Sequence, residues 1–239
     1  MRYAILVVAV LAVGCSSSQS PTAPTPIVPV ASVPIASAPV TTAPAVVPNP
    51  LLSDARFDPL FYRQFALGSR DGGPYALRRL TQAPRLYLRT VDDAGQPIDS
   101  FTLVETATAL SSVVGSLTGA FGLAGLEQGA ETRQGQAGWI TVRWSHVASA
   151  NNFCGSGLYA GDLITLYPRT PGCRCAGGPA VRLKTVKHEL GHVLGFYHTD
   201  SENDLMFQGG SACDKNPSAR EIFHARVAYS QPIGSRDPS

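Results

Sequence analysis

Three histidines and one glutamate lie within eleven residues at a spacing that can build a metal centre. The segment reads HELGHVLGFYH and runs from His188 to His198. His188 and His192 are four residues apart, so a helix with about 3.6 residues per turn places both imidazoles on one face. Glu189 follows the first histidine, where its carboxylate can reach a water beside the metal without ligating the metal itself.

The third histidine requires the helix to end soon after the second. In a continuous helix His198 would lie about 15 Å from His188, whereas each Zn–N bond is about 2.1 Å long. Gly195 permits the break, because glycine accepts the left-handed conformation that closes a helix C-terminus. Three histidine ligands leave one tetrahedral position for water, as in catalytic rather than structural zinc sites. The sequence therefore predicts one catalytic Zn²⁺.

The pattern HExxHxxGxxH resembles the signature of the metzincin metallopeptidases. Metzincins also carry a methionine in a tight turn beneath the metal, and Met206 stands eight residues after His198. This interval and the wording HELGHxLG are most similar to the matrixin branch. The resemblance implies an α+β catalytic domain with a mixed twisted sheet, an active-site helix, the Met-turn and a C-terminal helix.

The same resemblance implies a function and its partners. It implies a zinc metalloendopeptidase in which Glu189 is the general base and the substrate is an extended polypeptide. It also allows structural Ca²⁺, for which the sequence shows no site. Gln208 departs from the pattern, because some metzincin branches have tyrosine there and matrixins commonly have proline. No tyrosine ligand is therefore expected from this position, and the wall of the substrate pocket is expected to differ.

Two other functions stay open beside the endopeptidase. One is a non-catalytic envelope lipoprotein that binds zinc or peptides, and the other is a zinc amidase that acts on cell-wall peptide. The presence of Glu189 favours an enzyme, because a purely binding site needs no base. Asp200, two residues after His198, either accepts a hydrogen bond from a zinc-bound imidazole or caps the turn.

Residues 1–14 are typical of an export signal. Arg2 precedes an apolar run of ten residues from Ala4 to Val13, which is shorter than the about 20 residues that span a bilayer. The segment ends in LAVGC and resembles a bacterial lipoprotein signal, which implies that Cys15 is lipidated. The alternative is an ordinary secretory peptide in which Cys15 is incidental. We expect an exported protein of the bacterial cell envelope, lipid-anchored at the periplasmic or cell-surface face of a membrane.

The composition then divides the rest of the chain. Nine of the 19 prolines fall in residues 16–52, so residues 15–52 are interpreted as the lipidated cysteine and an extended linker rich in Pro, Ala and Val. A matrixin-like propeptide is the alternative, although its cysteine-bearing latency motif is missing there. The metallopeptidase domain is expected at residues 53–234 and a tail at 235–239.

The net charge of +2 is too small to indicate nucleic-acid binding. Membrane contact is expected through the lipid anchor only, and the protein is expected to be a monomer.

Four cysteines remain in the expected domain: Cys154, Cys173, Cys175 and Cys213. An even number in an exported protein predicts disulfides. Cys173 and Cys175 are poorly placed to bridge each other. The favoured scheme joins Cys154 to one of them and Cys213 to the other, and a second zinc at the CxC pair is the alternative.

Hydrophobic periodicity indicates the elements that would position these residues. Alternation predicts strands, and apolar residues every three or four positions predict helices. The predicted elements are a strand at 84–91, a helix capped by Thr102 and Glu105, a strand at 139–144, a glycine-punctuated β-rich segment at 157–167, the zinc helix at 181–194 and a closing helix capped by Ser218 and Glu221. In metzincins the strand upstream of the zinc helix is the sheet edge that pairs with substrate, and such pairing grips a peptide through its backbone.

Overall fold

The sheet consists of short strands, two of which are almost entirely buried. In the computed structural model, which describes residues 49–237, these strands are β1 (Arg85–Asp92), β2 (Gly125–Gly129), β3 (Trp139–Trp144), β4 (Gly155–Gly157) and β5 (Leu163–Leu166). Their order across the sheet is β2-β1-β3-β5-β4. All neighbours are parallel except β4, which pairs antiparallel with β5 at one edge. Near-continuous apolar runs such as those of β3 and β5 are typical of parallel strands covered on both faces.

Four α-helices accompany the sheet within residues 49–237: α1 (Pro59–Leu67), α2 (Ser100–Thr118), α3 (Leu183–Val193) and α4 (Ala219–Ser230). The mixed sheet, the helix that carries two of the histidines and the helix near the C-terminus agree with the expected α+β class. The sequence patterns had not predicted α1 or β2. The expected signal peptide, Cys15, the expected linker up to residue 48 and the tail residues 238–239 lie outside the described part of the chain.

The cap of α2 differs from the prediction. Asp99, rather than Thr102, precedes the helix, and its Oδ1 accepts the backbone N–H of Thr102 at 2.8 Å. Thr102 is buried, and its hydroxyl oxygen accepts the backbone N–H of Ala180 at 2.9 Å. The carboxylate therefore satisfies the free helix N–H, while the threonine joins α2 to the segment before α3.

The core lies between the sheet and the helices. Leu86 and Leu88 of β1 and Trp144 of β3 are fully buried, and the Trp144 indole N–H donates to the carbonyl oxygen of Arg89 at 2.7 Å. Leu51 and Leu52, which belong to a short 3-10 helix at Pro50–Ser53, also pack against this core. The packed part of the chain thus starts slightly before the expected boundary at residue 53.

The position of α3 determines where the histidines lie. This helix packs against α2 on one side and against β4 and β5 on the other. The strand β4 lies at the edge of the sheet and pairs with β5 on one side only. The histidine face of α3 therefore lies beside an edge strand. No helix in residues 49–237 is both long and apolar enough to cross a membrane.

Candidate metal centre

The helix α3 ends where the spacing of the histidines requires. Gly195 has a φ of 105°, which confirms the predicted left-handed conformation. Its N–H donates to the His192 carbonyl oxygen at 2.9 Å, and the Phe196 N–H donates to the Gly191 carbonyl oxygen at 3.0 Å. These two bonds form a Schellman motif, which reverses the chain after a helix. The reversal returns His198 to the helix face.

The three predicted histidines come together. One potential ligand atom from each of His188, His192 and His198 lies within 4.8 Å of the others. The His188 Nδ1 lies 2.9 Å from the Leu205 carbonyl oxygen. The His192 Nδ1 lies 2.8 Å from the Phe196 carbonyl oxygen. A carbonyl oxygen can only accept, so both rings carry the proton on Nδ1 and present the Nε2 lone pair.

The third imidazole is held by a carboxylate that the sequence patterns did not single out. Asp71 Oδ1 lies 2.9 Å from the His198 Nδ1, and Asp71 Oδ2 accepts the His198 backbone N–H at 3.0 Å. This aspartate lies in the turn after α1, 127 residues before His198. Carboxylates that accept from a ligating histidine fix its ring and raise its basicity. No spacing rule connects the two residues, so the motif could not have revealed the contact.

The other acidic and histidine side chains lie elsewhere. Asp200 is turned away from the imidazoles: it accepts from the Gln64 side chain at 3.3 Å and pairs with Arg220 at 3.6 Å. The chain has already left the histidine cluster at this point and runs between α1 and α4. His224 is buried and bonds to two backbone groups, and His146 is exposed, as expected for residues without a ligand role.

Burial favours the neutral, lone-pair-bearing form of two of the three rings, His188 and His192. Burial lowers the pKa of His192 to about 4, and the nearby His198 ring adds to this effect. Burial, assisted by the neighbouring His192, also holds the pKa of His188 well below its usual range. Neutral imidazole is the form that ligates metals. The three rings therefore fit a zinc ion by donor type and number, and the lowered pKa values keep His188 and His192 in the ligating form.

Glu189 lies in the same cleft, almost entirely buried. Its burial raises the pKa to about 8, although the Gly157 backbone N–H and the charge of Lys184 both oppose this shift. A β-carbon on Gly155 would lie 2.7 Å from the Glu189 Cγ. Only glycine leaves room at that position of β4, so the edge strand and this carboxylate pack directly against each other.

The predicted Met-turn methionine packs against α3 at Gly191, the residue before His192. Met206 is fully buried and occupies the space that a β-carbon on Gly191 would need. The buried carboxylate of Glu221 accepts the backbone N–H groups of Leu205 and Met206 at 2.9 and 2.8 Å. The same carboxylate completes the predicted capping box with Ser218 at the start of α4. One side chain thus caps a helix and fixes the turn that carries the methionine.

A cleft of about 380 Å³ opens in front of the histidines. One wall is α3, and another is the segment of residues 152–157 that includes β4. Gln208 and Gly210, which follow the Met-turn, line the cleft as well. An edge strand, a buried carboxylate and a histidine cluster therefore share one opening.

Two disulfides brace the loops around this cleft. Cys154 pairs with Cys173, and Cys175 pairs with Cys213. Disulfides are thus confirmed in the favoured scheme, and the structure resolves which partner each outer cysteine takes. The CxC pair is not available for a second zinc. Disulfides suggest an exported protein, because cytosolic thiols are kept reduced.

Comparisons with known proteins find a similar solved structure but no matching family model or curated protein. Among solved structures, the chain is similar to the crystal structure of metalloproteinase-II from Bacteroides fragilis, with a TM-score of 0.44 and 14% identity over 64% of this chain. The chain spans 55% of the length of that protein. A bacterial metalloproteinase is thus a structural neighbour of this chain.

Proposed function

We propose that the protein is a zinc-dependent metalloendopeptidase. The observation that carries the proposal is the three-histidine cluster with a buried glutamate beside it, in a cleft bordered by an edge strand. His188, His192 and His198 would hold the ion. A bound zinc supplies Lewis-acid polarisation of a carbonyl and acidifies water towards neutrality.

The protein's own groups account for the remaining requirements. The Glu189 carboxylate would accept the proton of the attacking water and deliver it to the leaving amine. The free side of β4 would pair with an extended peptide and hold its backbone against the cleft. Met206 would support the histidines as a soft apolar floor. The interval from His198 to Met206 and the wording of the helix support placement in the matrixin branch.

We further propose that the protein is exported and anchored by a lipid on Cys15. The support lies in the sequence of residues 1–15 and in the disulfides of the domain, which require an oxidising compartment. Residues 16–52 would then serve as a spacer between the lipid and a monomeric peptidase domain.

Metal analysis and peptidase assays on two variants test the function. His192→Ala should lose the single bound zinc. Glu189→Ala should keep the zinc and lose peptidase activity by roughly 10²–10⁴-fold, the usual contribution of a general base. The substrate would be a diverse peptide library, with cleavage sites read by mass spectrometry with and without a chelator.

The same experiment separates the rival functions. If zinc is bound but neither wild type nor variant cleaves any peptide, the non-catalytic binder is favoured. Release of amide products from cell-wall peptide alone would favour the amidase. Unchanged zinc content in His192→Ala would refute the metal site itself.

A further inference from the structure

Two cationic side chains line the cleft beside the N-terminal half of α3. Arg182 directly precedes the helix, Lys184 lies in its first turn, and both border the cleft in front of the histidines. Thr185 and Gln208, which line the cleft with them, carry no charge. Among the cleft-lining residues that the structure describes, Glu189 is the one carboxylate.

Within residues 49–237 these two cations bond to backbone oxygens and form no ion pair. The Lys184 Nζ donates to the carbonyl oxygens of Phe207, at 3.0 Å, and of Gly209. The Arg182 Nη1 donates to the Gly210 carbonyl oxygen at 3.2 Å, and its buried Nε has no hydrogen-bond partner in this part of the chain. Carbonyl groups orient a cation without cancelling its charge, so both charges remain available to the cleft.

A nearby lysine shows the contrasting arrangement. Lys187 is also buried, but its Nζ lies 2.6 Å from Asp214, and it does not line the cleft. Burial lowers the pKa of Lys184, and the charges of Lys215 and Arg182 lower it further. The carboxylates of Glu189 and Glu221 oppose this shift. In the described part of the chain, the cleft lining therefore contains two cations, Arg182 and Lys184, against the single carboxylate of Glu189.

The edge strand indicates which part of a bound peptide would meet these cations. A β-carbon on Gly155 would lie 2.9 Å from the Thr185 Cγ2, and one on Gly157 would lie 3.2 Å from the His192 Cβ. A peptide that added antiparallel to β4, as β5 already does, would run from the His192 end towards the Thr185 end. Antiparallel pairs are also the commoner kind. The residues on the carboxyl side of the scissile bond would then face Arg182 and Lys184.

We infer that this arm of the cleft selects peptides with an acidic side chain on the carboxyl side of the scissile bond. The inference rests on the proposed peptidase function and names Arg182 and Lys184 as its specificity-determining residues. A guanidinium and an ammonium that share one cleft wall can both bond to a carboxylate, and such charge-assisted bonds are stronger than neutral ones. A lysine or arginine at the same substrate position would be repelled.

The test uses the zinc-loaded protein and peptides that share one cleavage site. The peptides differ only in Glu, Gln or Lys at the first three positions after the scissile bond. The variants are Arg182→Gln and Lys184→Gln, which remove one charge each and keep a hydrogen-bond donor. Arg174→Gln is the matched control, because Arg174 is exposed and also donates to a backbone carbonyl, that of Gly178, but does not line the cleft.

At one of these positions, wild type and Arg174→Gln should prefer Glu over Gln by about tenfold in kcat/KM, as expected for a bond to a charged group. Each of the two cleft variants should reduce this preference several-fold, and added salt should weaken it in wild type. Lys184→Gln also removes the bonds that Lys184 donates to residues 207–209. If Lys184→Gln is unstable, Arg182→Gln alone tests the selectivity.

The acidic selectivity and the peptidase function can be refuted independently of each other. Cleavage with no charge preference, or with a preference that both cleft variants retain, would overturn the acidic selectivity and leave the peptidase intact. If no peptide is cleaved, the peptidase proposal fails, and the selectivity is then judged by binding of the same peptides to zinc-loaded Glu189→Ala protein. Tighter binding of the Glu peptide that depends on Arg182 supports it, and equal binding of all three refutes it.

Discussion

At the residue scale, each of the three imidazoles is oriented by an acceptor on its Nδ1. Two of these acceptors are backbone carbonyl oxygens of Leu205 and Phe196, and the third is the carboxylate of Asp71. A carbonyl is supplied by the fold regardless of sequence, whereas the carboxylate depends on one side chain. Asp71 is therefore the one of these three acceptors that a point mutation can remove.

Replacing Asp71 should weaken zinc binding without removing a ligand. Asp71→Asn keeps the size of the side chain but leaves one oxygen for the two His198 donors, so we expect zinc affinity to fall by about 10- to 100-fold. Competition with a chromophoric chelator measures the affinity, and the visible spectrum of the Co²⁺-substituted protein reports any change in ligand geometry.

Asp200→Asn is the control for that substitution. Asp200 is only two residues from His198, yet it contacts Gln64 and Arg220 instead of an imidazole. The zinc affinity of the Asp200→Asn variant should stay within about threefold of the wild-type affinity, because surface substitutions usually change the free energy by less than ~0.5 kcal/mol. Loss of affinity in Asp200→Asn together with unchanged affinity in Asp71→Asn would contradict the assignment.

The contrast between these two aspartates shows what a sequence can predict of such a site. The ligands His188, His192 and His198 were predictable because helix geometry and one glycine relate positions that are close in the chain. Asp71 approaches from the turn after α1, and only the packing of α1 and its following turn brings it near. Local periodicity contains no information about that contact.

At the element scale, the end of α3 is the feature on which the site depends. Beyond the Schellman bonds, the hydroxyl groups of Tyr159 and Tyr229 donate to the carbonyl oxygens of Gly195 at 2.7 Å and Leu194 at 3.0 Å. The last turn of a helix leaves such carbonyl groups without partners. Two tyrosines from different parts of the chain satisfy them here, and this fixes the direction in which the chain leaves towards His198.

Gly195→Ala should therefore impair both stability and metal binding. Alanine is strained at a φ of 105°, and its β-carbon would collide with the Arg78 carbonyl oxygen. We expect the free energy of unfolding to fall by about 2–4 kcal/mol, the sum of a backbone and an overpacking cost. Zinc affinity should fall as well, because His198 is displaced. Urea unfolding and chelator competition measure the two effects.

Gly95→Ala provides the comparison for the backbone cost alone. Gly95 also has a left-handed φ, of 78°, but no atom lies within 4 Å of a β-carbon placed there. It should lose only about 1 kcal/mol of stability and bind zinc as wild type does. Equal losses in the two variants would show that the collision at Gly195 is relieved by local movement.

The elements themselves were predictable to different degrees for physical reasons. The predicted strand at 139–144 agrees with β3, because its β-branched and aromatic residues are typical of a strand. The strand β2, with sequence GLEQG, has almost no apolar character and forms only because β1 pairs with it. Thr102 resembled a cap by local pattern, but α2 begins one turn earlier, where the carboxylate of Asp99 accepts the backbone N–H of Thr102.

At the scale of the whole molecule, the disulfides connect the part of the chain that contains the cleft. Cys175 precedes α3, and Cys213 follows the Met-turn, so the loop that they close contains all three histidines and Met206. Cys154 lies next to β4 and is joined to Cys173. The metal ligands and the edge strand are thus each tied to the segment of residues 173–175 that lies between them in sequence.

Removing either disulfide should destabilise the protein, and the loss should be larger for the disulfide that closes the longer loop. The sequence separations are 38 residues for Cys175–Cys213 and 19 residues for Cys154–Cys173. Loop-closure entropy then gives losses of about 4 and about 3 kcal/mol for the two Cys→Ala double variants. Urea unfolding of the zinc-free protein measures them, since bound metal would add its own stabilisation. The Cys175–Cys213 variant should also lose part of its selectivity for acidic peptides, because the carbonyl groups that orient Arg182 and Lys184 lie at residues 207–210.

If the free energy of unfolding falls by less than about 1 kcal/mol in both double variants, packing of the loops, rather than the covalent links, holds the cleft together.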